Sequence, residues 1–471
     1  MQIGEPADLG PRQLTGTDPI ELSQSLLDRL RTTRYAVLAA LSGGDPVYGV
    51  NTGMGAMSKR RLDEDEQRAH QRNLLLGRAA GGPPWLPPDE ARAVVIGRLR
   101  TFLTGDAGVS PELCLQLVAL LNSGLVPAIP VGGAGSAGEI IPLAHAFGPL
   151  VGIGNLLEPD GKLRPAEGVL PAFELGPKEG ISLLAGIPGA TGRAWLQTDL
   201  ARRLAEQLSL VAAGSIAVIG ANRDPYNPLS GRGDELLAAQ LERILLLAGP
   251  EGKPRSLQAP VSFRVAGHVI SHVERAVGRL EEAVDRALTG VTDSPAFLKG
   301  EFVGTAGFHG IDLAAHCDQL VAALAHAAEV SAARIHRLLD PAVTGLTAQL
   351  AHQPGPQAGL VTVHKRAVAT CHYLRRLALP SAIGAVETSN GQEDVQSFSW
   401  EAAGVLAESI RLTREVTACE LLAVHQAFAL SERRVPAGLR DFLGAAADVV
   451  PAIEADRPFG EDLTRLIDRL R

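Results

Sequence analysis

The chain has 471 residues, of which 46% are hydrophobic and only 4% aromatic. That length exceeds one ordinary domain, and few aromatic residues with abundant alanine and leucine favour packed helices over sandwiches or barrels. The formal net charge of −8 and the pI near 5.9 argue against nucleic acid and anionic membrane surfaces as partners.

The N-terminal segment has neither a basic region nor an apolar run, so no export signal is predicted and the cytoplasm is the expected compartment. Residues 1–18 are polar and carry proline and glycine, and we expect a mobile or surface-laid arm. The four cysteines lie far apart without a C-x-x-C pair, which indicates free thiols in a reducing compartment. The twelve histidines are scattered, so no metal site is predicted.

Apolar residues at three- and four-residue spacing predict helices along most of the chain. The predicted helices cover residues 19–42, 63–80, 89–105, 110–123, 191–221, 231–249, 262–289, 311–339, 357–378 and 399–431, followed by a small charged helical segment at 436–471. Their length after residue 190 indicates an elongated bundle. Glycine-rich stretches at 43–57 and 178–190 interrupt the pattern, and 158–170 is predicted as a hairpin or surface turn.

Residues 131–145 read V-G-G-A-G-S-A-G-E-I-I-P-L-A-H, with crowded glycine and alanine before a carboxylate and an apolar run. Such a tract suits a backbone with unusual dihedrals or close approach, followed by a helix N-terminus. A membrane span over residues 125–157 is the alternative interpretation. Its prolines and glycines argue against a continuous spanning helix, so no membrane association is predicted.

Three polar stretches interrupt the helical pattern and could carry chemistry. Tyr48 is held between glycines, which suits a general acid or base, although a turn tyrosine stacked on a helix fits the same pattern. Arg264 suits a bidentate carboxylate contact, and a surface arginine is the alternative. Glu393 and Asp394 precede a long helix, where a carboxylate pair can also serve as a solvated cap.

Several of these stretches resemble motifs of the aromatic amino acid lyases, the family of histidine, phenylalanine and tyrosine ammonia-lyases. V-Y-G-V-N-T-G-M-G is similar to the family's Y-G-x-N-T-G-F-G, whose tyrosine removes the β-proton of the substrate, and Tyr48 matches it. G-E-I-I-P-L-A-H resembles G-D-L-x-P-L-A-H. In the family that motif follows an Ala-Ser-Gly triplet, which cyclises and dehydrates into the electrophilic methylidene-imidazolone (MIO) prosthetic group.

The resemblance covers about residues 20–435 through six motifs in the expected order. Q-A-P-V-S-F-R resembles the segment whose arginine holds the substrate carboxylate. S-N-G-Q-E-D-V-Q-S resembles a pocket-lining motif, and Q-R-N-L-L-L-G-R-A-A resembles the helix that reads the substrate side chain. G-T-A-G-F-H-G matches a pocket-lining N-F-H. The substrate-binding residues that the resemblance implies are Asn51, Gly55, Arg78, Arg264, Phe308, His309, Gln392 and Glu393.

The chain departs from the family pattern at the prosthetic group. Ser136, Ala137 and Gly138 stand where the family has Ala-Ser-Gly, so the serine whose dehydration makes the methylidene is an alanine. Ala185 replaces an asparagine that polarises the imidazolone, and Val261 replaces a tyrosine near it. The resemblance therefore implies that the MIO group is absent, and no cofactor is expected.

The fold that the resemblance implies is all-α, an elongated multi-helix bundle that forms a homotetramer with active sites shared between chains. Arg264 and Glu393 are then expected to reach the Tyr48 pocket from neighbouring chains. The sequence divides into an N-terminal domain (1–190) with the tyrosine loop and the degenerate MIO segment, a central long-helix bundle (191–435) and a C-terminal helical segment (436–471).

Because Tyr48, Arg264 and Glu393 are retained, we expect an enzyme that works without MIO on a small carboxylate-bearing substrate. Tyrosine-mediated proton transfer would serve elimination, isomerisation, addition or cyclisation, and Arg78 indicates a substrate side chain that is anionic or accepts hydrogen bonds. One alternative is an inactive relative that binds a small carboxylate or partners an active lyase. Another is an orthodox ammonia-lyase whose MIO forms one residue early, from residues 135–137.

Overall fold

The computed structural model describes residues 1–158, 160–250 and 254–470, and it is predominantly helical, which confirms the predicted fold class. The α-helices are α1 (Pro11–Thr15), α2 (Gln24–Ser42), α3 (Glu64–Arg78), α4 (Pro88–Phe102), α5 (Pro111–Asn122), α6 (Ile140–Phe147), α7 (Glu179–Leu184), α8 (Pro188–Ile219), α9 (Glu235–Ala248), α10 (Val261–Arg264), α11 (Ala266–Thr289), α12 (Ile311–Leu338), α13 (Pro341–Thr344), α14 (Val361–Leu377), α15 (Ser399–Ala429), α16 (Arg440–Ala447) and α17 (Phe459–Arg469).

Short strands of two or three residues lie in the loops before and between the helices. The strands are β1 (Gln2–Ile3), β2 (Glu21–Leu22), β3 (Val126–Pro127), β4 (Asn155–Leu157), β5 (Leu163–Pro165), β6 (Ala296–Leu298) and β7 (Glu301–Val303). β1 and β2 pair in parallel, β3, β4 and β5 form an antiparallel sheet in that order, and β6 and β7 form a hairpin. The segment predicted as a hairpin or surface turn, 158–170, begins in the connection between the antiparallel strands β4 and β5 and contains β5; it includes residue 159, which lies outside the described residues.

The prediction that residues 1–18 form a mobile or surface-laid arm is wrong. Ile3, Leu9 and Leu14 are almost fully buried, and the main chain of the first residues pairs with β2. Burial of these three apolar side chains in the core holds the segment against the rest of the protein. The spacing of these three residues follows no helix or strand period, so periodicity did not reveal them.

The chain separates into two compact units, each built from three stretches of sequence. Unit 1 comprises Met1–Gln197, Leu280–Cys317 and Pro380–Gly404, and unit 2 comprises Thr198–Arg279, Asp318–Leu379 and Val405–Arg471. The predicted domains at 1–190, 191–435 and 436–471 follow chain order instead, and that division stays a prediction.

In unit 1, glycines let helices α4 and α8 approach closely. A Cβ on Gly192 would lie 2.1 Å from the carbonyl oxygen of Ala93, and one on Gly97 would lie 2.6 Å from the carbonyl oxygen of Pro188. No side chain fits at either position, so the small residues that composition pointed to do hold helix backbones together.

Unit 2 contains a buried polar cluster around Glu420 on α15. Arg334 of α12 donates to both carboxylate oxygens of Glu420, at 2.6 and 2.8 Å, and the hydroxyls of Ser215 and Ser331 donate to the same carboxylate. All four side chains are buried, and the carboxylate is satisfied by charged and neutral donors together.

The stretch at 125–157, for which a membrane span was the alternative, is broken into β3, a loop, the eight-residue helix α6 and β4. Within the described residues, no helix is both long enough and apolar enough to cross a membrane.

Candidate active site

The candidate active site is a cavity of about 300 Å³ in unit 1. Its lining is largely apolar, with a few polar groups from loops that are distant in sequence, a composition typical of small-molecule sites. The lining residues are Tyr48, Met54, Ala137, Gly138, Ile140, Ile181, Leu184, Ala185, Gly186, Ser294, Pro295, Gly304, Phe308, Gln392 and Glu393.

The loop before α3 presents Tyr48 to this cavity. The Asn51 side chain accepts a hydrogen bond from the Val47 backbone amide and donates one to the Asp45 carbonyl oxygen, both at 2.7 Å. These two bonds hold the loop in a closed conformation. Gly49 has a φ of +68°, and a Cβ there would lie 2.2 Å from the Ile181 side chain. The glycine therefore lets the loop pack directly on α7.

The hydroxyl oxygen of Tyr48 accepts a hydrogen bond from the Gly55 amide at 2.8 Å, and the ring remains 38% exposed. This hydrogen bond fixes the position of the phenol oxygen. Gly55 thus donates its backbone N–H to Tyr48, while the side-chain amide of Asn51 makes hydrogen bonds within the loop. A role for Asn51 and Gly55 in contacting substrate stays a prediction.

Ala137 and Gly138 of the tract at 131–139 line the cavity, and the tract is held by the loop before α15 and by the first turn of that helix. The Trp400 indole donates to the Val131 carbonyl oxygen at 2.8 Å, and Glu401 accepts from the Ala134 amide at 3.3 Å. Glu393 accepts from the Ala137 amide at 3.1 Å through Oε2. The tract is therefore fixed in place by hydrogen bonds to its backbone.

Glu393 lines the same cavity as Tyr48 and Ala137, within one chain. The expectation that Glu393 reaches the Tyr48 pocket from a neighbouring chain is wrong. Its Oε2 accepts from the Thr388 hydroxyl at 3.1 Å as well as from the Ala137 amide. Gln392 is adjacent to Glu393 in the lining.

Glu139, the last residue of this tract, is fully buried and caps α8. Its two oxygens accept hydrogen bonds from the amides of Gly189 and Ala190, both at 2.7 Å, at the positive end of the 32-residue helix. Burial raises the pKa of this carboxyl to about 7, against the lowering effect of the two amides and of Arg98 and Arg193. The carboxyl thus fixes the far side of the tract to the start of the helix.

We expect Glu139→Gln to change the pH dependence of folding. The native carboxyl keeps its proton to about pH 7, whereas the unfolded one loses it near 4.5, so burial of this group destabilises the protein increasingly as pH rises between those values. The unfolding free energy of the wild type, minus that of the variant, should fall by roughly 2–3 kcal/mol between pH 5 and 8. Urea titrations of both proteins measure this difference, and parallel curves would contradict the assignment.

Ala185 directly follows α7 and lines the cavity. Its carbonyl oxygen accepts a hydrogen bond from Arg98, whose guanidinium lies over the rings of Phe102 and Phe147 at 4.9 and 5.9 Å. Burial lowers the pKa of Arg98 to about 10, so the group stays charged at neutral pH. The buried Arg98 cation thus holds the backbone of Ala185, the position at which the aromatic amino acid lyase motif has an asparagine.

The residues at 136–138, where the family forms the MIO group, do not fit that group. Ala137 has no hydroxyl to lose, and the hydroxyl of Ser136 donates to the carbonyl oxygen of Gly138 at 2.8 Å. Ala185 has no side-chain amide with which to polarise an imidazolone.

The remaining predicted residues lie around the cavity or in unit 2. Phe308 lines the cavity, and Nε2 of the adjacent His309 is buried without a hydrogen-bond partner among the described residues. Arg78, at the end of α3, does not line the cavity. Arg264 and Val261 belong to unit 2, where the Arg264 Nε donates to the Ala259 carbonyl oxygen at 2.9 Å and Val261 is 58% exposed.

Sequence reasoning missed part of the cavity floor. Ser294, Pro295 and Gly304 line it, and they come from the two loops that flank the β6–β7 hairpin. These loops were visible as interruptions between helices. The segment with Ser294 and Pro295 carries no chemical signature, and from G-T-A-G-F-H-G only Phe308 and His309 had been assigned to the pocket, so the packing adds these three residues to the site.

These features define a helical enzyme-type site with a glycine-held tyrosine and a carboxylate facing a glycine-rich tract. The family described as "Aromatic amino acid lyase" matches residues 12–448, and the chain belongs to this family. Histidine ammonia-lyase of Deinococcus radiodurans is 30% identical, over 95% of this chain and 89% of that protein. Histidine ammonia-lyase of Streptomyces coelicolor is 31% identical, over 93% and 87%.

Solved structures agree with this assignment. Tyrosine aminomutase from Streptomyces globisporus superposes with a TM-score of 0.92 at 25% identity, covering 99% of this chain and 95% of that one. The ergothioneine-degrading enzyme ergothionase from Treponema denticola has a TM-score of 0.91 at 23% identity, with 99% and 96% covered. Relatives in this family are lyases or aminomutases, which supports an enzymatic role for this chain.

Proposed function

We propose that this protein is a lyase or isomerase that works without the MIO group, on a small carboxylate-bearing, amino-acid-like substrate. The observation that carries the proposal is the cavity itself. Tyr48 and Glu393 line it together with Ala137 and Ala185, the two positions at which the family resemblance implies a reactive serine and a polarising asparagine.

In the proposed reaction, Tyr48 as phenolate takes a proton from the carbon next to the one that bears the leaving group. The C–H electron pair forms the double bond, and the leaving group departs with its own bonding pair. Without an electrophile to activate an amine, the leaving group has to be better than ammonia. Proton transfer of this kind also serves isomerisation, addition or cyclisation, and it contributes typically 10²–10⁴-fold to a rate.

The chain's own residues supply binding and orientation. The Glu393 carboxylate in the lining suits a cationic group on the substrate, while Phe308, Met54 and Leu184 suit an apolar part. Arg264 is proposed as the carboxylate anchor, contributed by another copy of the chain in a homotetramer. Arg78 is the candidate for reading an anionic or hydrogen-bond-accepting side chain.

Intact-mass spectrometry of the purified protein is the first test. The proposal expects the mass of the unmodified sequence, because Ala137 cannot be dehydrated. A deficit of two water molecules would overturn MIO independence. It would favour instead an ammonia-lyase with the prosthetic group formed at 135–137, in line with the histidine ammonia-lyase relatives.

A turnover panel then defines the reaction. It should hold histidine and tyrosine, ergothioneine, which the Treponema denticola neighbour degrades, and amino acids with better leaving groups than ammonia at the α- or β-carbon. The proposal expects the product only from substrates whose leaving group departs without electrophilic activation. Turnover confined to histidine or tyrosine would contradict it.

A further inference from the structure

Gln71 on α3 is buried, with 1% of its surface exposed, and it does not belong to the cavity lining. Its side-chain amide nevertheless bonds to two segments that do line the cavity. The Nε2 atom donates to the Gly49 carbonyl oxygen at 3.1 Å, and the Oε1 atom accepts from the Ile181 amide at 3.2 Å. Only this orientation of the side-chain amide fits, because a carbonyl needs a donor and an N–H group needs an acceptor. Gln71 therefore links the Tyr48 loop to α7 through one planar group.

Gly49 directly follows Tyr48, and buried side chains hold both of its backbone polar groups. Its N–H donates to the Thr52 hydroxyl at 3.2 Å, while its carbonyl oxygen accepts from Gln71. Gly49, Thr52 and Gln71 are all buried, so bulk water does not compete for these bonds. The two bonds thus fix the course of the chain as it leaves Tyr48.

The bond to Ile181 satisfies a backbone donor at the start of α7. Ile181 is the third residue of this helix, and the first N–H groups of a helix have no partner within it. Lys178, which precedes the helix, has a φ of +71° and makes no capping bond with its side chain. The Gln71 oxygen supplies this bond from another part of the chain, as an N-cap side chain would do. The helix that it holds contributes Ile181 and Leu184 to the cavity lining.

Two glycines bring the three segments close enough for these bonds. A Cβ on Gly180 would lie 2.2 Å from the backbone carbonyl oxygen of Gln71, and a Cβ on Gly49 would lie 2.2 Å from the Ile181 side chain. Neither position has room for a side chain, so α3, the tyrosine loop and α7 pack directly on one another. With no space between them, the position of one segment determines that of the others.

We infer that Gln71 is a positioning residue that sets the place of Tyr48 relative to the α7 wall of the cavity. The inference rests on the proposed function, in which Tyr48 carries out the proton transfer. Gln71 acts through the backbone of Gly49 and does not line the cavity, so it influences the geometry of the reaction and not the binding of substrate. A misplacement of about 1 Å at a reacting group can lower a rate by on the order of 10²-fold.

The first test replaces Gln71 by methionine, which has a similar length and makes neither hydrogen bond. We expect Gln71→Met to lower kcat by about 10–100-fold with the best substrate of the panel, and to change KM by less than about twofold. Gln426→Met is the matched control. Gln426 in unit 2 is also 1% exposed, and it accepts from the Ile453 amide and donates to the Ile453 carbonyl oxygen. Its loss should lower the melting temperature to a similar extent and leave kcat unchanged.

A second test needs no substrate. Hydrogen exchange of the full-length protein should become faster at residues 47–52 and 179–184 in Gln71→Met and not in Gln426→Met, because Gln71 bonds to both segments. Gln71→Glu provides a rescue, since a protonated carboxyl can make both bonds and an ionised one cannot donate to Gly49. Burial favours the protonated form, so kcat of this variant, relative to the wild type, should rise as the pH falls.

An unchanged kcat in Gln71→Met, or unchanged hydrogen exchange at residues 47–52, would overturn the inference. So would an equal fall of kcat in Gln426→Met, or a rise of KM alone, which is the behaviour of a residue that contacts substrate. If Gln71→Met does not fold, the pH profile of Gln71→Glu decides, and a constant ratio of its kcat to that of the wild type would contradict the positioning role. If Tyr48→Phe retains its turnover, the proposed function fails instead, whatever the exchange of the two segments shows.

Discussion

Replacement of Tyr48 by phenylalanine is expected to lower kcat by about 10²–10⁴-fold, the usual contribution of a positioned acid or base. The ring stays in place, since the loop is closed by Asn51 and packed on α7 through Gly49. Only the hydroxyl and its hydrogen bond from the Gly55 amide are lost. Steady-state kinetics with the best substrate of the panel measure the effect.

Two controls separate chemistry from folding. Tyr35→Phe removes the same hydroxyl from a 67% exposed ring on α2, and should leave kcat unchanged. The melting temperature of Tyr48→Phe should remain close to that of the wild type. Undiminished turnover in this variant would exclude Tyr48 as the acid or base. If no panel compound is turned over but carboxylate ligands still raise the melting temperature, the protein is a binding relative instead.

The parts of the site that the sequence predicted are those whose chemistry is local. A tyrosine between glycines and a carboxylate before a long helix are visible in short motifs, and Tyr48 and Glu393 do line one cavity. The tract at 131–145 was also predicted to end in a helix start, and α6 begins at Ile140. Each of these features depends on neighbours within a few residues along the chain.

The parts that the sequence did not predict depend on long-range packing. Glu393 was assigned to a neighbouring chain, yet it bonds to the Ala137 amide across 256 positions of the same chain. In the sequence, Glu139 is a carboxylate that directly precedes an apolar run, and nothing nearby indicates what it binds. Its role as the cap of α8 follows from a helix that begins some fifty residues later.

The Lys178–Asp293 ion pair is another contact between residues that are far apart in the sequence. We expect its loss to lower the free energy of unfolding strongly. Lys178 is fully buried, and its Nζ donates to the Asp293 carboxylate, the Ser182 hydroxyl and the Ala107 carbonyl oxygen at 2.7–2.8 Å. Burial lowers the pKa of Lys178, against the opposing effect of Asp293. The pair joins the start of α7, the helix just before Ala185, to the loop that contributes Ser294 and Pro295 to the cavity.

We expect Lys178→Met to lower the free energy of unfolding by about 3–5 kcal/mol, because it leaves the Asp293 carboxylate buried without its cation. Urea titration measures the change. The double variant Lys178→Met/Asp293→Leu should recover much of the loss, since it removes the orphaned charge together with its partner. Lys162→Met is the matched control: this lysine also lies 2.7 Å from an aspartate but is 78% exposed, so the urea midpoint should not move. Equal effects at the two lysines would show that burial does not determine the contribution of the pair, and that the walls of the cavity are joined by other contacts.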